Sequence, residues 1–221
     1  MNYQKELEKL LTALPERGQR LLLHSCCAPC SSYCMEYLRE FFRLTVFYYN
    51  PNITVEEEYR KREKEEKRLI GIYNKQLETE DFTGMQSSGQ AYPIEILESA
   101  YRPEDFLAIA KGKEHCPEGG ERCFLCYELR LRETAKEAKK GGFDYFTTTL
   151  TISPLKNAEK LNEIGRRLGE EYGIAFLPSD FKKKDGYRRS VVLSEQFGLY
   201  RQDYCGCIYS KAERDIRNQT I

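Results

Sequence analysis

The feature that most constrains the fold is a regular alternation of short apolar runs with longer amphipathic or charged stretches. In the first unit, an apolar run at 20–24 is followed by a turn at 25–30, a helical pattern at 31–42 and a β-branched and aromatic run at 44–49. A strand, a helix and a second strand in this order form the basic unit of a parallel sheet. Further strands are predicted at 93–97, 144–149 and 174–177. The sequence therefore predicts an α/β fold with a doubly wound, mostly parallel sheet.

The predicted helices cover most of the remaining chain, at 2–14, 54–73, 103–111, 122–140, 157–172 and 187–197. We expect a single α/β domain over 1–221, with an N-terminal helix in 1–19 and a Cys-bearing C-terminal segment at 199–221. Thr54 and Glu57 have the spacing of a capping box at the start of the long charged helix. The i,i+4 charge pairs of that helix predict a solvated helix face.

Two global properties restrict the class of protein. The 35 basic residues balance the 35 acidic ones, which excludes a generally basic nucleic-acid binder but leaves room for a local basic patch. No apolar run approaches the roughly 18 residues of a membrane span, and the polar N-terminus has no apolar signal core. We therefore expect a cytoplasmic protein with no membrane partner.

Cysteine is the residue type that points to chemistry. The chain has nine cysteines and no export signal, which does not fit structural disulfides because the cytosol keeps thiols reduced. His24 and His115 are the only histidines, so a His-rich metal site lacks ligands. A metal in this chain would be bound by sulfur, which favours zinc or an iron–sulfur cluster.

Three clusters carry most of the thiols: Cys26-Cys27, Cys123-x-x-Cys126 and Cys205-Gly206-Cys207. Each lies on a predicted turn or helix start, where several thiolates can converge. The first also follows a predicted strand, and ligands of doubly wound sheets bind at the carboxyl ends of strands. Cys26, Cys27, Cys123 and Cys126 together supply the four ligands of a closed zinc or cubane site.

Other interpretations of the cysteines stay open at this point. Cys27 and Cys30 have the spacing of a thioredoxin-type redox pair, which would leave the other clusters without a role. A non-catalytic zinc-binding RNA module would use the same thiols without redox chemistry. Cys34, within a helical pattern, is predicted to be a buried apolar side chain. Radical-SAM, bacterial ferredoxin, P-loop and dinucleotide-binding motifs are missing from the sequence.

The combination of motifs resembles the QueH-type epoxyqueuosine reductases over about residues 20–210. The matching stretches are LLLHSCCAPC (21–30), FYYNPNI (47–53), ERCFLCYELR (121–130), FTTTLTISPL (146–155), DFKK (180–183) and LYRQDYCGC (199–207). The resemblance implies a Rossmann-like, nucleotide-alpha-hydrolase-type sheet with Cys-bearing loops at the carboxyl ends of its strands. It also implies a cobalamin-independent oxidoreductase that removes the epoxide oxygen of epoxyqueuosine at the wobble position of tRNA.

The resemblance implies a [4Fe–4S] cluster as cofactor. We expect the adjacent cysteine pair and the C-x-x-C motif to hold it, through Cys26, Cys27, Cys123 and Cys126. Opening an epoxide and expelling its oxygen requires a Lewis acid and an electron source, and a cluster can provide both. Cys205 and Cys207 then form either a redox-active disulfide or the ligands of a second iron. Sequence alone does not choose between these two roles.

The remaining chemical roles are assigned by position only. Asp180, Tyr204 and His24 are the candidate proton donors. The family pattern does not require Cys30, Cys34 or Cys116, so the roles of these cysteines stay open. The electron donor is expected to be a separate partner that the sequence does not identify.

A local basic segment is the candidate RNA contact. Its cations are Lys182, Lys183, Lys184, Arg188 and Arg189, and Tyr187 lies among them. Recognition of the anticodon stem-loop of tRNA needs phosphate contacts and stacking on an unpaired base, which cations with an interleaved aromatic ring can supply. A second basic stretch at 130–140 is predicted to be a solvated helix face.

Overall fold

The computed structural model describes residues 2–86 and 90–219, and a five-stranded sheet lies at its centre. The strands are β1 (Gln19–His24), β2 (Phe42–Tyr48), β3 (Ile94–Glu98), β4 (Tyr145–Thr148) and β5 (Ala175–Phe176). They lie in the order β3-β2-β1-β4-β5, and every neighbouring pair is parallel. The chain runs outward from β1 to β3 and then returns to the other side of β1 for β4. This confirms the predicted doubly wound sheet and puts its topological switch between β1 and β4.

Helices cover both faces of the sheet. They are α1 (Tyr3–Thr12), α2 (Ala28–Leu38), α3 (Glu56–Thr79), α4 (Pro103–Ala110), α5 (Glu121–Lys140), α6 (Ala158–Tyr172), α7 (Gly186–Gln196) and α8 (Ile208–Gln219). Leu21 and Leu23 of β1 belong to one core with side chains of α1, α2, α3 and α7, and Leu22 belongs to the opposite core with α5 and α6. Because both faces are buried, β1 has a continuous apolar run rather than an alternating pattern.

The turn after β1 is shorter than predicted. Helix α2 begins at Ala28 rather than at residue 31, so Cys30 lies in its first turn. Pro29 occupies one of the first helical positions, where a missing N–H leaves no helical hydrogen bond unmade. Strand β2 begins at Phe42, within the predicted helix, because Phe42 is fully buried and pairs with Gln19 of β1.

Two expectations for the long charged helix α3 are wrong. Its N-cap is Val55, without a side-chain cap, so Thr54 and Glu57 form no capping box. Its charged face is not uniformly solvated, because Arg62 and Glu66 are almost completely buried. The helix also continues to residue 79, six residues beyond the predicted end. Part of α3 is thus internal structure that supports the C-terminal loop.

The C-terminal region contains the predicted cysteine-bearing loop and then α8, a helix that the sequence analysis did not predict. Ser210 is the one buried residue of α8, although Ile208, Ala212 and Ile216 recur at the spacing of one helix face. The division into one domain over 1–221, with terminal segments at 1–19 and 199–221, stays a prediction. Within residues 2–86 and 90–219, no helix is long and apolar enough to cross a membrane.

Candidate metal centre and active site

A first group of cysteines lies at the carboxyl end of β1, beside the switch between β1 and β4. Cys26 and Cys27 follow the strand directly, and Cys27 is the N-cap of α2. Cys30 lies in the first turn of the same helix. The three sulfur atoms all lie within 4.8 Å of one another, so the group could hold a metal ion.

The polar surroundings of the first group favour one thiolate. The Sγ of Cys26 lies 3.8 Å from that of Cys27 and 3.6 Å from the Oγ1 of Thr149. Contacts from the thiols of Cys27 and Cys30 hold the pKa of Cys26 well below its usual range. The pKa values of Cys27 and Cys30 are raised, first because both thiols give their hydrogen bonds to Cys26 and second because both lose solvent contact. The Nε2 of Gln202 donates to the Sγ of Cys27 at 2.8 Å.

A second group consists of the thiols that line a small cavity of about 10 Å³: Cys123, Cys126, Cys205 and Cys207. Cys123 lies in the first turn of α5, and its sulfur accepts a hydrogen bond from the N–H of Gly119 at 3.2 Å. Burial raises the pKa of Cys123 and raises that of Cys126 to about 12. The N–H of Gly119 and nearby positive charge oppose this effect of burial without cancelling it.

The loop that carries Cys205 is tied to the body of the fold by α3. Arg62 donates to the carbonyl of Cys205 at 3.1 Å and pairs with Glu58 at 2.6 Å. Gly206 has a φ of +118°, and a Cβ there would lie 2.8 Å from the Cγ1 of Ile53. Only glycine fits this position without strain. The cysteine loop thus depends on a buried arginine and on one glycine.

A larger cavity of about 200 Å³ adjoins both groups. Cys26 and Cys30 lie on its wall, together with Tyr204. The residues common to both cavities are Glu118, Arg130, Lys156 and Cys205. The two cysteine groups therefore face one shared region at the carboxyl edge of the sheet, where doubly wound folds bind their ligands.

Buried positive charge is concentrated in this shared region. Arg130 is 1% exposed, its Nε donates to the carbonyl of Cys126 at 3.1 Å, and its Nη1 has no hydrogen-bond partner among the described residues. Burial alone would lower the pKa of Arg130, but the sulfurs of Cys126, Cys205 and Cys26 raise it. Lys156 places its Nζ 3.3 Å from the Sγ of Cys205, which likewise raises the pKa of Lys156 against the effect of burial. Both side chains stay charged.

The four predicted cluster ligands are divided between the two groups. Cys26 and Cys27 belong to the first group, and Cys123 and Cys126 belong to the second. Cys30, which the family pattern does not require, completes the first group. The assignment of four ligands to one cluster stays a prediction, and the structure adds Cys30 as a neighbouring thiol.

The other predicted residues have varied positions. Cys34 is fully buried in the core, as expected, and Cys116 lines neither cavity. Tyr204 lines the larger cavity, whereas Asp180 is paired with a neighbouring lysine and lines neither cavity. Both ring nitrogens of His24 are hydrogen-bonded inside the core. Burial lowers the pKa of His24 to about 3, so its ring is neutral at physiological pH.

The predicted basic segment is only partly available to a ligand. Three of its cations form ion pairs: Lys182 with Asp180, Lys184 with Glu8, and Arg189 with Glu36. Lys183 and Arg188 are exposed. The prediction of a solvated helix face at 130–140 is wrong at Arg130, because this residue points into the shared region between the cavities.

Sequence patterns alone missed the polar residues that surround the sulfur atoms. Thr149 and Gln202 lie within two of the family-like stretches, and that was the available signal for them. Lys156 directly follows such a stretch. Arg62 belongs to a helix with many charges, and nothing in the sequence distinguished it from its exposed neighbours.

Several known proteins are similar to the chain in sequence. A sequence profile of the family described as Epoxyqueuosine reductase QueH matches residues 21–213, which include both cysteine groups. The chain is 38% identical over 220 residues to Epoxyqueuosine reductase QueH of Staphylococcus epidermidis, with 98% of this chain and 87% of that protein covered. The protein of the same name from Streptococcus pyogenes is 39% identical, with 98% and 80% covered. The one from Thermotoga maritima is 33% identical, with 91% and 95% covered. The chain belongs to the epoxyqueuosine reductase QueH family.

Proposed function

We propose that the chain reduces epoxyqueuosine in tRNA to queuosine, independently of cobalamin, with the two cysteine groups as its redox centre. The observation that carries the proposal is that both thiol groups face one cavity region in a member of a family named for this reaction. The reaction removes the epoxide oxygen as water and consumes two electrons and two protons. A separate donor must supply the electrons, because each turnover consumes two of them when the epoxide is converted to the alkene and water.

The donor set fits a [4Fe–4S] cluster, since thiolates are the usual ligands of such clusters. The proposed ligands are Cys26, Cys27, Cys123 and Cys126, and Cys30 is a further thiol beside the first pair. When bound, the cluster would supply single electrons and a Lewis-acidic iron. The charges of Arg130 and Lys156 support the proposal, because buried negative charge on thiolate-bound iron needs nearby positive charge.

Cys205 and Cys207 have two proposed roles. They form a redox-active disulfide that passes electrons, or they bind a second iron. Both roles fit the place of Cys205 on the wall of both cavities. Iron content distinguishes them, because a second site adds iron beyond the four of the cluster, whereas a disulfide adds none.

The cavity wall also supplies groups for the leaving oxygen. The Nζ of Lys156 and the guanidinium of Arg130 are buried donors that can stabilise negative charge developing on that oxygen. Tyr204 lies on the same wall and can hold a proton there. Asp180 stays a predicted proton donor, although it lies outside the described cavity walls.

The RNA partner is proposed from the family and from the basic segment. Lys182, Lys183, Lys184, Arg188 and Arg189 are its proposed phosphate contacts, and the exposed Lys183 and Arg188 are the best supported of them. A tRNA substrate also agrees with the predicted cytoplasmic location.

The test is an anaerobic assay of the full chain with tRNA that carries epoxyqueuosine. Dithionite serves as reductant, and the nucleosides are measured by mass spectrometry after digestion. We expect queuosine to form with iron-loaded protein and not with iron-free protein. Failure of the iron-loaded protein to convert the substrate would overturn the proposed function.

Two further results would favour the alternatives. A zinc-bound protein that binds tRNA without converting it would indicate a binding module. A metal-free protein whose Cys27 and Cys30 form one titratable disulfide would indicate a thioredoxin-like oxidoreductase.

A further inference from the structure

The mouth of the larger cavity carries side chains that the proposed chemistry does not use. Leu155 lies between β4 and α6, Tyr187 in the first turn of α7, Arg201 in the cysteine loop, and Arg217 in α8. Leu155 is 65% exposed and Tyr187 is 41% exposed, and both arginines are exposed. Four elements that are distant in sequence thus meet around one opening, and these four residues are called the cavity rim below.

The cavity rim has uncompensated positive charge. Arg201 donates to the hydroxyl of Ser194 at 3.0 Å, and neither Arg201 nor Arg217 forms an ion pair within residues 2–86 and 90–219. The two acidic side chains that line the cavity are paired, Glu118 with Lys156 and Asp203 with Arg214, and Glu213 of α8 is paired with Arg122. An anionic ligand at the opening would therefore meet two arginines whose charge no carboxylate offsets.

We propose that the cavity rim holds the anticodon loop of tRNA, a proposal that rests on the proposed function. Arg201 and Arg217 bind phosphates on either side of the nucleotide whose modified base enters the cavity. Tyr187 stacks on a neighbouring unpaired base, and Leu155 packs against the same loop. Unpaired bases stacked on aromatic rings beside arginine-bound phosphates are the usual basis of single-stranded RNA recognition.

The geometry favours RNA over another anionic macromolecule. The cavity beneath the rim holds about 200 Å³, and cysteine sulfurs line its wall, so a base must leave the loop to reach them. An aromatic ring at the edge of such a cavity can fill the space that the displaced base leaves in the stack. Lys183 and Arg188, both exposed, lie four residues before and one residue after Tyr187 in sequence. An acidic protein that delivers electrons would use the arginines but has no need of the ring.

The experiment measures binding of the full, anaerobically purified chain to an anticodon stem-loop RNA at several salt concentrations. The variants are Arg201→Gln, Arg217→Gln, their combination, Tyr187→Ala and Tyr187→Phe. The matched control is Arg43→Gln, which removes one exposed charge near the amino end of β2, at the opposite edge of the sheet. Thermal unfolding of each variant checks that the fold is retained.

We expect each rim arginine variant to weaken binding several-fold and to reduce the salt slope by about one. The double variant should combine both losses. Tyr187→Ala should weaken binding by roughly tenfold, the size expected for one stacked base, while Tyr187→Phe and Arg43→Gln should bind like the unaltered chain.

Two results would overturn the proposal. The first is a double variant with the affinity and salt slope of Arg43→Gln. The second is a double variant that binds RNA normally and turns over normally with dithionite but no longer turns over with a protein electron donor. This result would assign the rim to that donor. Neither result affects the proposed function, which fails only if the unaltered, iron-loaded chain does not convert epoxyqueuosine.

Discussion

The two cysteine groups are built in different ways. The first group lies where β1 ends and α2 begins, so regular secondary structure fixes the positions of Cys26, Cys27 and Cys30. The second group is half helix and half loop: α5 carries Cys123 and Cys126, whereas Cys205 and Cys207 lie on an irregular segment. That segment is held by a buried arginine, a lysine and one glycine. Regular secondary structure therefore positions the first cysteine group, whereas a few polar contacts and one glycine position the loop half of the second group.

The two groups also differ in their electrostatics. Cys26 has a lowered pKa because two neighbouring thiols donate to it, so the first group can hold a thiolate by itself. Burial raises the pKa of Cys126, and positive charge must come from outside the group. Arg130 and Lys156 supply that charge from the region that both groups share. The second group therefore depends on its surroundings for both its geometry and its ionisation.

The largest expected effect is on activity, when the first group is broken. Cys26→Ala or Cys27→Ala should lower turnover of epoxyqueuosine-tRNA by more than about a hundredfold, since even partners of metal ligands are typically worth 10–100-fold. Cys34→Ala, in the helix that follows this pair and buried in the core, should leave turnover almost unchanged. A Cys26→Ala enzyme with activity close to that of Cys34→Ala would contradict this account.

The next largest effect is expected on stability, when the arginine that holds the Cys205 loop is replaced. Arg62→Met should destabilise the fold by about 3 kcal/mol, because it leaves Glu58 and the carbonyl of Cys205 without their buried partner. Arg60→Met removes an exposed arginine of the same helix and should leave the free energy of unfolding almost unchanged. Urea denaturation measures both. Equal losses would show that Arg62 is no tether.

The free energy of unfolding is expected to depend on pH through Glu66, a buried carboxyl near the first cysteine group. Burial raises the pKa of Glu66 from 4.5 to about 8, and the nearby hydroxyls of Ser31 and Ser25 offset only part of the shift. The folded state thus keeps a proton that the unfolded state releases above about pH 4.5. This stabilising effect is complete below that pH and is lost as the pH rises through about 8.

Between pH 6 and 7.5 the loss should amount to about 2 kcal/mol, at roughly 1.4 kcal/mol per pH unit. Glu66→Gln, which cannot ionise, should remove this part of the pH dependence. Urea denaturation at both pH values checks it. Parallel stability profiles for the two proteins would show that Glu66 does not titrate in this range.

The smallest expected effect comes from replacing the glycine of the cysteine loop, which should loosen this loop and leave the first cysteine group unchanged. Gly206→Ala should cost about 1–2 kcal/mol, because its positive φ and the contact with Ile53 strain any side chain there. The thiols of Cys205 and Cys207 should then react faster with a thiol reagent, while Cys26 and Cys27 keep their rates. Gly71→Ala is the control, since a helical glycine with open space around it should gain about 0.5–1 kcal/mol. An equal increase in the reaction rates of all four thiols would indicate general loosening of the fold instead.

The fold was predictable from sequence because its signals are local. The apolar run of β1 and the aromatic run of β2 mark strands, and the intervening helix makes them parallel. The exact start of α2 was not predictable, because Pro29 fits both a turn and a first helical turn. Helix α8 was missed although Ile208, Ala212 and Ile216 recur at the spacing of one helix face, a pattern that indicates an amphipathic helix.

The site was predictable only in part, because its grouping depends on tertiary distances. Spacing identified the thiols themselves, including Cys205 and Cys207. It did not reveal that these two lie with Cys123 and Cys126 or that Cys30 lies beside Cys26. The buried cations were missed for the same reason, because the sequence around an arginine in a charged helix does not show whether its side chain faces water or a cavity.

The measurement that most directly tests the central claim is iron and sulfide analysis, with an absorbance spectrum, of the chain purified without oxygen. We expect about four iron and four sulfide per chain and a broad absorbance that dithionite bleaches. Double replacement of Cys26 and Cys27 by alanine should remove this signal, whereas Cys34→Ala should keep it. A colourless chain that contains zinc, or an iron signal that survives loss of Cys26 and Cys27, would contradict the claim that the two cysteine groups form one iron–sulfur redox centre.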